Sequence, residues 1–187
     1  IQEAILPTKE FVKEVFLESF ILLKPKDIVS GDFFWMEKIS GKSLFAAVDC
    51  TGHGVPGGFV SMVGANSLKR SVKEFGITEP AKILDRLSAL VEEAFSKRRD
   101  GMDIALCAVD MKNKQLEYAG ANNPMYLIRE KNKPLIVDGN TIQPVMEKDD
   151  LVLYEIKADK QPIGSFDDRK KFFIDSSFFC DTCHAHG

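Results

Sequence analysis

The chain has 187 residues, 44% of them hydrophobic and 28% charged, and carries a formal net charge of −3. That length and balance describe one folded domain with a real core, and they exclude wholesale disorder. They leave no basic footprint for nucleic acid or an anionic membrane surface, and no apolar run approaches the roughly 20 residues of a membrane span.

The first residue is Ile rather than Met, so the sequence reads as a fragment or a processed product. Glu3, Lys9, Glu10 and Lys13 interrupt the opening apolar stretch, which therefore does not read as a secretory signal. Pro7-Thr8-Lys9-Glu10 opens a short amphipathic stretch that carries Phe11, Val15 and Phe16 at helical spacing. A strand is expected over Phe20–Leu23, stopped by Lys24-Pro25-Lys26. Ser30-Gly31 is a turn, and Asp32–Ile39 and Ser43–Val48 read as a hairpin about Ser40-Gly41-Lys42. A glycine-rich loop, Gly52 to Gly58, then opens a helix expected to bury Phe59, Met62, Val63 and Val72. Thr78 is the expected cap of the next helix, with Pro80 in its first turn. Ile83, Leu84, Leu87, Leu90, Val91, Ala94 and Phe95 give that helix its apolar face.

After Gly101 the pattern reverts to period two. Strands are expected at Ile104–Val109, Gln115–Ala119, Met125–Arg129, Leu135–Val137 and Leu151–Ile156. Strands, then a helix pair, then strands is the order of an α+β domain with a mainly antiparallel sheet. Of the 4 cysteines, Cys50 and Cys107 lie in apolar strands as free buried thiols, while Cys180 and Cys183 sit together near the end. That usage favours a reducing, cytoplasmic setting.

The segment richest in chemistry is Asp49-Cys50-Thr51-Gly52-His53-Gly54-Val55-Pro56-Gly57-Gly58. A carboxylate at the end of a buried strand, followed by glycines, suits a hard divalent cation with oxygen ligands. Asp32 would lie across the hairpin from Asp49, and two such aspartates repel unless a cation sits between them. Both could equally be ordinary turn aspartates. Gly52, Gly54 and Gly57 also match G-x-G-x-x-G. Against a dinucleotide site stand the charge of Asp49 and a second helix where a parallel strand belongs. His53 is open between a catalytic acid, a ligand and a turn residue.

Pro25-Lys26-Asp27-Ile28-Val29-Ser30-Gly31-Asp32-Phe33-Phe34-Trp35 and Asp49-Cys50-Thr51-Gly52-His53-Gly54-Val55-Pro56-Gly57 resemble blocks of a known family. Gly101-Met102-Asp103-Ile104-Ala105-Leu106-Cys107, Ala119-Gly120-Ala121-Asn122-Asn123-Pro124 and Lys160-Gln161-Pro162-Ile163-Gly164 continue the likeness in order. The family is the SpoIIE-type bacterial branch of the metal-dependent serine/threonine phosphatases related to type 2C. The resemblance implies an antiparallel β-sandwich with flanking helices, and Mn2+ or Mg2+ in a two-metal site at one end. Asp32 and Asp49 would be the catalytic, metal-binding carboxylates, and the Cys50 backbone carbonyl would ligate one ion. Gly52, His53 and Gly54 would shape the phosphate side, with Asp103 a further candidate. It implies hydrolysis of phosphoserine or phosphothreonine on a signalling phosphoprotein, such as an anti-sigma-factor antagonist, by a metal-activated water. An upstream sensor or regulatory domain, which in the full-length protein could tether it to a membrane, is the implied partner, with residues 1–18 the end of the linker or signalling segment leading into the domain.

The phosphatase-like domain is expected over 19–164, followed by an atypical tail over 165–187. Where the family continues into an Asp-Gly metal motif and a late aspartate, this sequence offers only Asp181, without a following glycine. The expectation is a domain lacking its final strands and part of its metal cluster, weak or inactive in catalysis. Exposed edges of that kind leave room for a homodimer. A non-catalytic regulatory module on the same scaffold is the alternative. The tail's Cys180-x-x-Cys183-His184-x-His186 also matches haem-attachment and zinc spacings, against chance in an irregular end.

Overall fold

The structure, a computed structural model, describes residues 2–95, 100–164 and 172–179. A short 3-10 turn at Gln2–Ile5 precedes α1 (Lys9–Val15), β1 (Phe33–Ile39), β2 (Lys42–Cys50), α2 (Gly54–Lys73) and α3 (Pro80–Ala94). Then come β3 (Met102–Asp110), β4 (Gln115–Ala121), β5 (Met125–Glu130), β6 (Leu135–Val137), β7 (Asn140–Ile142), β8 (Met146–Lys148), β9 (Leu151–Ile156) and β10 (Ser176–Phe179). Neighbouring strands pair antiparallel in a five-stranded sheet of order β1-β2-β3-β4-β10 and a three-stranded sheet of order β5-β9-β8. The α+β, mainly antiparallel architecture expected from the strand and helix order is present, in the sandwich form that the family resemblance implies.

Alternation along β2 and β3 sorts side chains to the two faces of the larger sheet. Leu44, Ala46, Val48, Ile104 and Leu106 face α2 and α3 and meet Leu68, Val72, Leu84 and Leu87 in one core. Cys107, Leu116 and Tyr118 face the other way and pack with Val152, Tyr154, Ile156 and Phe178 between the sheets. Residues 172–179, beyond the last phosphatase-like block, thus supply a strand whose Phe178 is buried.

Several local expectations change. Phe20–Leu23 is not a strand: it has no pairing partner, and Phe20 is 90% exposed. In α2 the buried face is Gly57, Gly58, Val60, Ser61, Gly64, Ala65, Leu68 and Val72, while Phe59 and Met62 are exposed. The reason is close approach. A Cβ on Gly64 would sit 3.0 Å from Met102 Sδ and 3.3 Å from Phe33 Cζ, so only the small-residue stripe can face the sheet. Thr78 does not cap α3; the cap position is Glu79, without a side-chain bond, and Ala94 is exposed. Asp175 reaches in from ahead of β10, and its Oδ1 accepts the Ala81 amide at 2.7 Å. The sequence pattern marks neither β7 nor β8.

Candidate metal centre

The site is built at one end of the larger sheet. Phe33 pairs with Val48, so Asp32, one residue earlier, stands beside Asp49 at the end of β2. Their carboxyl groups face each other at the end of the hairpin. Partial burial and the neighbouring Asp32 carboxylate hold Asp49 above the ordinary carboxylate value. In the next register position Asp49 lies directly opposite Asp103 on β3. Asp103 is held by a further neighbour: Asn122 Nδ2 donates to its Oδ1 at 2.8 Å. Asp32, Asp49, Asp103 and Asn122 therefore occupy one level across adjacent strands.

The turn that delivers Asp32 is locked against the glycine loop. A Cβ on Gly31 would lie 2.7 Å from the Gly52 carbonyl oxygen and 3.1 Å from that of Cys50. A Cβ on Gly57 would lie 2.6 Å from the Gly52 oxygen. The Cys50 carbonyl is thereby brought beside the Asp32 turn. Gly52 and Gly54 both take positive φ (88° and 61°), a conformation that side chains disfavour. The Ser30 hydroxyl accepts the Asp32 amide at 3.0 Å, which fixes the turn from its other side.

His53 occupies the cap position of α2 without a capping bond, and its Nδ1 pairs with Asp27 Oδ2 at 2.9 Å. The sequence pattern did not reveal Asp27, although it lies inside the quoted Pro25–Trp35 block. Asn122 was equally unassigned; its positive φ of 57° marks the turn that aims it. Tyr118 supports that turn, its hydroxyl donating to the Asn123 carbonyl at 2.6 Å. Beside the acid pair opens a cleft of about 440 Å³, lined among others by Phe20, Leu22, Lys24, Phe34, Phe45 and Asn123.

Two exposed carboxylates that repel each other, with a backbone carbonyl at the same turn, are hard oxygen donors of the kind Mn2+ or Mg2+ accepts. The donor set fits such an ion but is short. Among the described residues, no group of three or more His, Cys, Asp and Glu side chains converges tightly enough to hold a metal. Asp181 and the Cys180–His186 motif lie outside the described residues. The Cys50 thiol is no nucleophile: burial and the charges of Asp32 and Asp49 push it up to about 12, so it stays protonated. Strands β1, β2 and β3 are antiparallel and α2 leads into α3, so the glycine loop does not belong to a dinucleotide-binding βαβ unit.

The family profile described as Stage II sporulation protein E (SpoIIE) matches residues 40–166. Among solved structures, the SiaA-PP2C domain of Pseudomonas aeruginosa is 28% identical with a TM-score of 0.72, covering 97% of this chain and 64% of that one. RsbX in complex with magnesium is 14% identical with a TM-score of 0.57, covering 87% of this chain and 66% of its own. The PP2C phosphatase domain of SpoIIE from Bacillus subtilis, with a fragment of its regulatory domain, is 16% identical with a TM-score of 0.53. That match covers 80% of this chain and 37% of the other, and the chain thus spans less than two thirds of each of these proteins. No match to this chain was found among curated protein sequences. Among the described residues, no helix is long and apolar enough to cross a membrane.

Proposed function

Since the chain belongs to the SpoIIE family, whose solved relatives are PP2C-type phosphatase domains, we propose that it hydrolyses phosphoserine or phosphothreonine on a bacterial signalling protein, using Mn2+ or Mg2+. An anti-sigma-factor antagonist is the kind of substrate we have in mind, and an upstream sensor the kind of regulator. The observation that carries the reading is the contact between Asp32 and Asp49, two like charges set side by side at the end of the sheet. Natural folds keep such repulsion where a ligand relieves it.

Asp32, Asp49 and the Cys50 carbonyl would hold the cation, which lowers the pKa of a bound water and offsets charge on the transferring phosphoryl group. The remaining work falls to the chain. The Gly31–Gly52–Gly57 packing keeps both carboxylates in register. The N-terminus of α2 at Gly54 offers unpaired amides, which favour an anion. Asp27 orients His53 next to that helix start. Direct attack by water needs no protein nucleophile, in keeping with a protonated Cys50.

A second reading has one observation in its favour, the short donor set. On it, the chain is a regulatory module that keeps the scaffold, and a second cation is bound too weakly for turnover. The test is Mn2+-dependent hydrolysis of a phosphoprotein and of p-nitrophenyl phosphate by this chain. We expect slow, Mn2+-dependent turnover that Asp49→Asn abolishes. Mn2+ binding without turnover would favour the regulatory module.

A further inference from the structure

The acid pair rests on a turn that a residue far away in sequence holds by its backbone. Gln2, in the 3-10 turn at Gln2–Ile5, reaches 28 residues ahead to Ser30. Its Oε1 accepts the Ser30 amide at 2.9 Å, and its Nε2 donates to the Ser30 carbonyl. The same Nε2 donates to Ser61 Oγ at 2.9 Å, on the face of α2 that packs on the sheet. One amide side chain thus grips both polar groups of a single peptide position and a helix at once. Ser30 is buried, and its hydroxyl accepts the amide of Asp32. Ser61 is fully buried and donates to the Gly58 carbonyl, so the α2 end of the grip is fixed as well.

Ser30 is two residues from Asp32, and Gly31 between them is packed against the Cys50 and Gly52 carbonyls. A shift of the Ser30 backbone therefore moves Asp32 relative to Asp49. We propose that Gln2 is a positioning residue: by clamping Ser30 to α2, it sets Asp32 against Asp49, so the approach segment of the chain tunes cation affinity. The proposal rests on the reading that the acid pair holds a divalent cation. Partners that orient metal ligands are commonly worth roughly 10–100-fold in affinity.

The variant that isolates the bonds is Gln2→Met, which keeps length and packing but has neither donor nor amide acceptor. Thr8→Ala is the control on the same segment. It removes the hydroxyl that caps α1, where the Phe11 amide donates at 3.2 Å, without touching Ser30. In the full chain, amide hydrogen exchange at Ser30 and Asp32 should accelerate by about tenfold in Gln2→Met, the loss of roughly two hydrogen bonds' protection. The Mn2+ dissociation constant, by calorimetry, should rise by about tenfold. Thr8→Ala should alter neither, and Gln2→Met should lower the melting temperature by only about 2–6 °C, the cost of the lost bonds in a chain of this size. Unchanged exchange at Ser30 and Asp32 overturns the proposal. So does an unchanged Mn2+ constant in a parent chain that binds the ion. Should the parent bind no Mn2+, the cation reading fails, and exchange alone decides whether Gln2 positions Asp32.

Discussion

Two parts of the molecule use aspartates in opposite ways. Along the seam between α3 and the segment entering β10, each carboxylate meets a donor. Asp175 accepts the Ala81 amide at the start of α3, and Asp85 accepts the Phe173 amide at 3.1 Å. At the end of the larger sheet, Asp49 meets another carboxylate. Burial lifts Asp175 above the ordinary carboxylate value too, but the Ala81 amide counters the lift, whereas the Asp32 carboxylate adds to that of Asp49. The seam's acids close the fold. The end's acids leave a repulsion that a cation would relieve.

The largest break in that contrast is Asp49→Asn. Mn2+ affinity should fall by more than about 100-fold, since even partners of metal ligands are worth roughly 10–100-fold. Without metal, the same change should raise the melting temperature by roughly 1–3 °C, because it removes one of two facing charges. The pH dependence has a fixed sign. Asp49's folded value is raised, so the native state holds its proton more tightly than the unfolded chain. Its destabilising effect is absent below the ordinary carboxylate range and grows as pH rises through the raised value. The Asn variant's advantage, followed by thermal melts across the acid range, should grow with it and vanish at low pH.

Asp175→Ala probes the other side. It removes the acceptor for a helix-start amide, at a cost of about 1 kcal/mol, or roughly 2–4 °C by calorimetric melting. Mn2+ affinity should not change. Asp175→Asn keeps an acceptor and sheds a half-buried charge, so it should match or exceed the parent above the carboxylate range. A destabilised Asn variant would show that charge, rather than the bond, matters at the α3 start.

The smallest effect concerns the cleft. Lys24 lines it together with Asp32 and Asp49. If the cleft receives a phosphorylated side chain, Lys24→Ala should raise KM by roughly two- to fivefold with kcat unchanged, the weight of one exposed ion pair. A change in kcat alone would place Lys24 elsewhere in the reaction.

How far the sequence foretold these regions depends on whether a segment's partners are local. β2, β3 and α3 carry their own periodicity, and their expected spans match the structure closely. Asp32 and Asp49 were legible because a hairpin fixes their register. Phe20–Leu23 has strand composition but no neighbouring strand to pair with, and β10 is defined by pairing with the distant β4. Hydrophobicity misjudged α2, because glycine and serine let backbone approach backbone and turned Phe59 outward. Thr78 is a sound local cap, overridden by the Asp175 carboxylate, which takes the Ala81 amide from 94 residues away along the chain. Asn122 and Asp27 matter only through partners that folding brings to them.

The central claim is that the Asp32–Asp49 contact is a cation site. Calorimetric titration of Mn2+ into the chain and into Asp49→Asn addresses it directly. Saturable binding by the parent, lost in the variant, is the predicted result; equal heats from both proteins would contradict it.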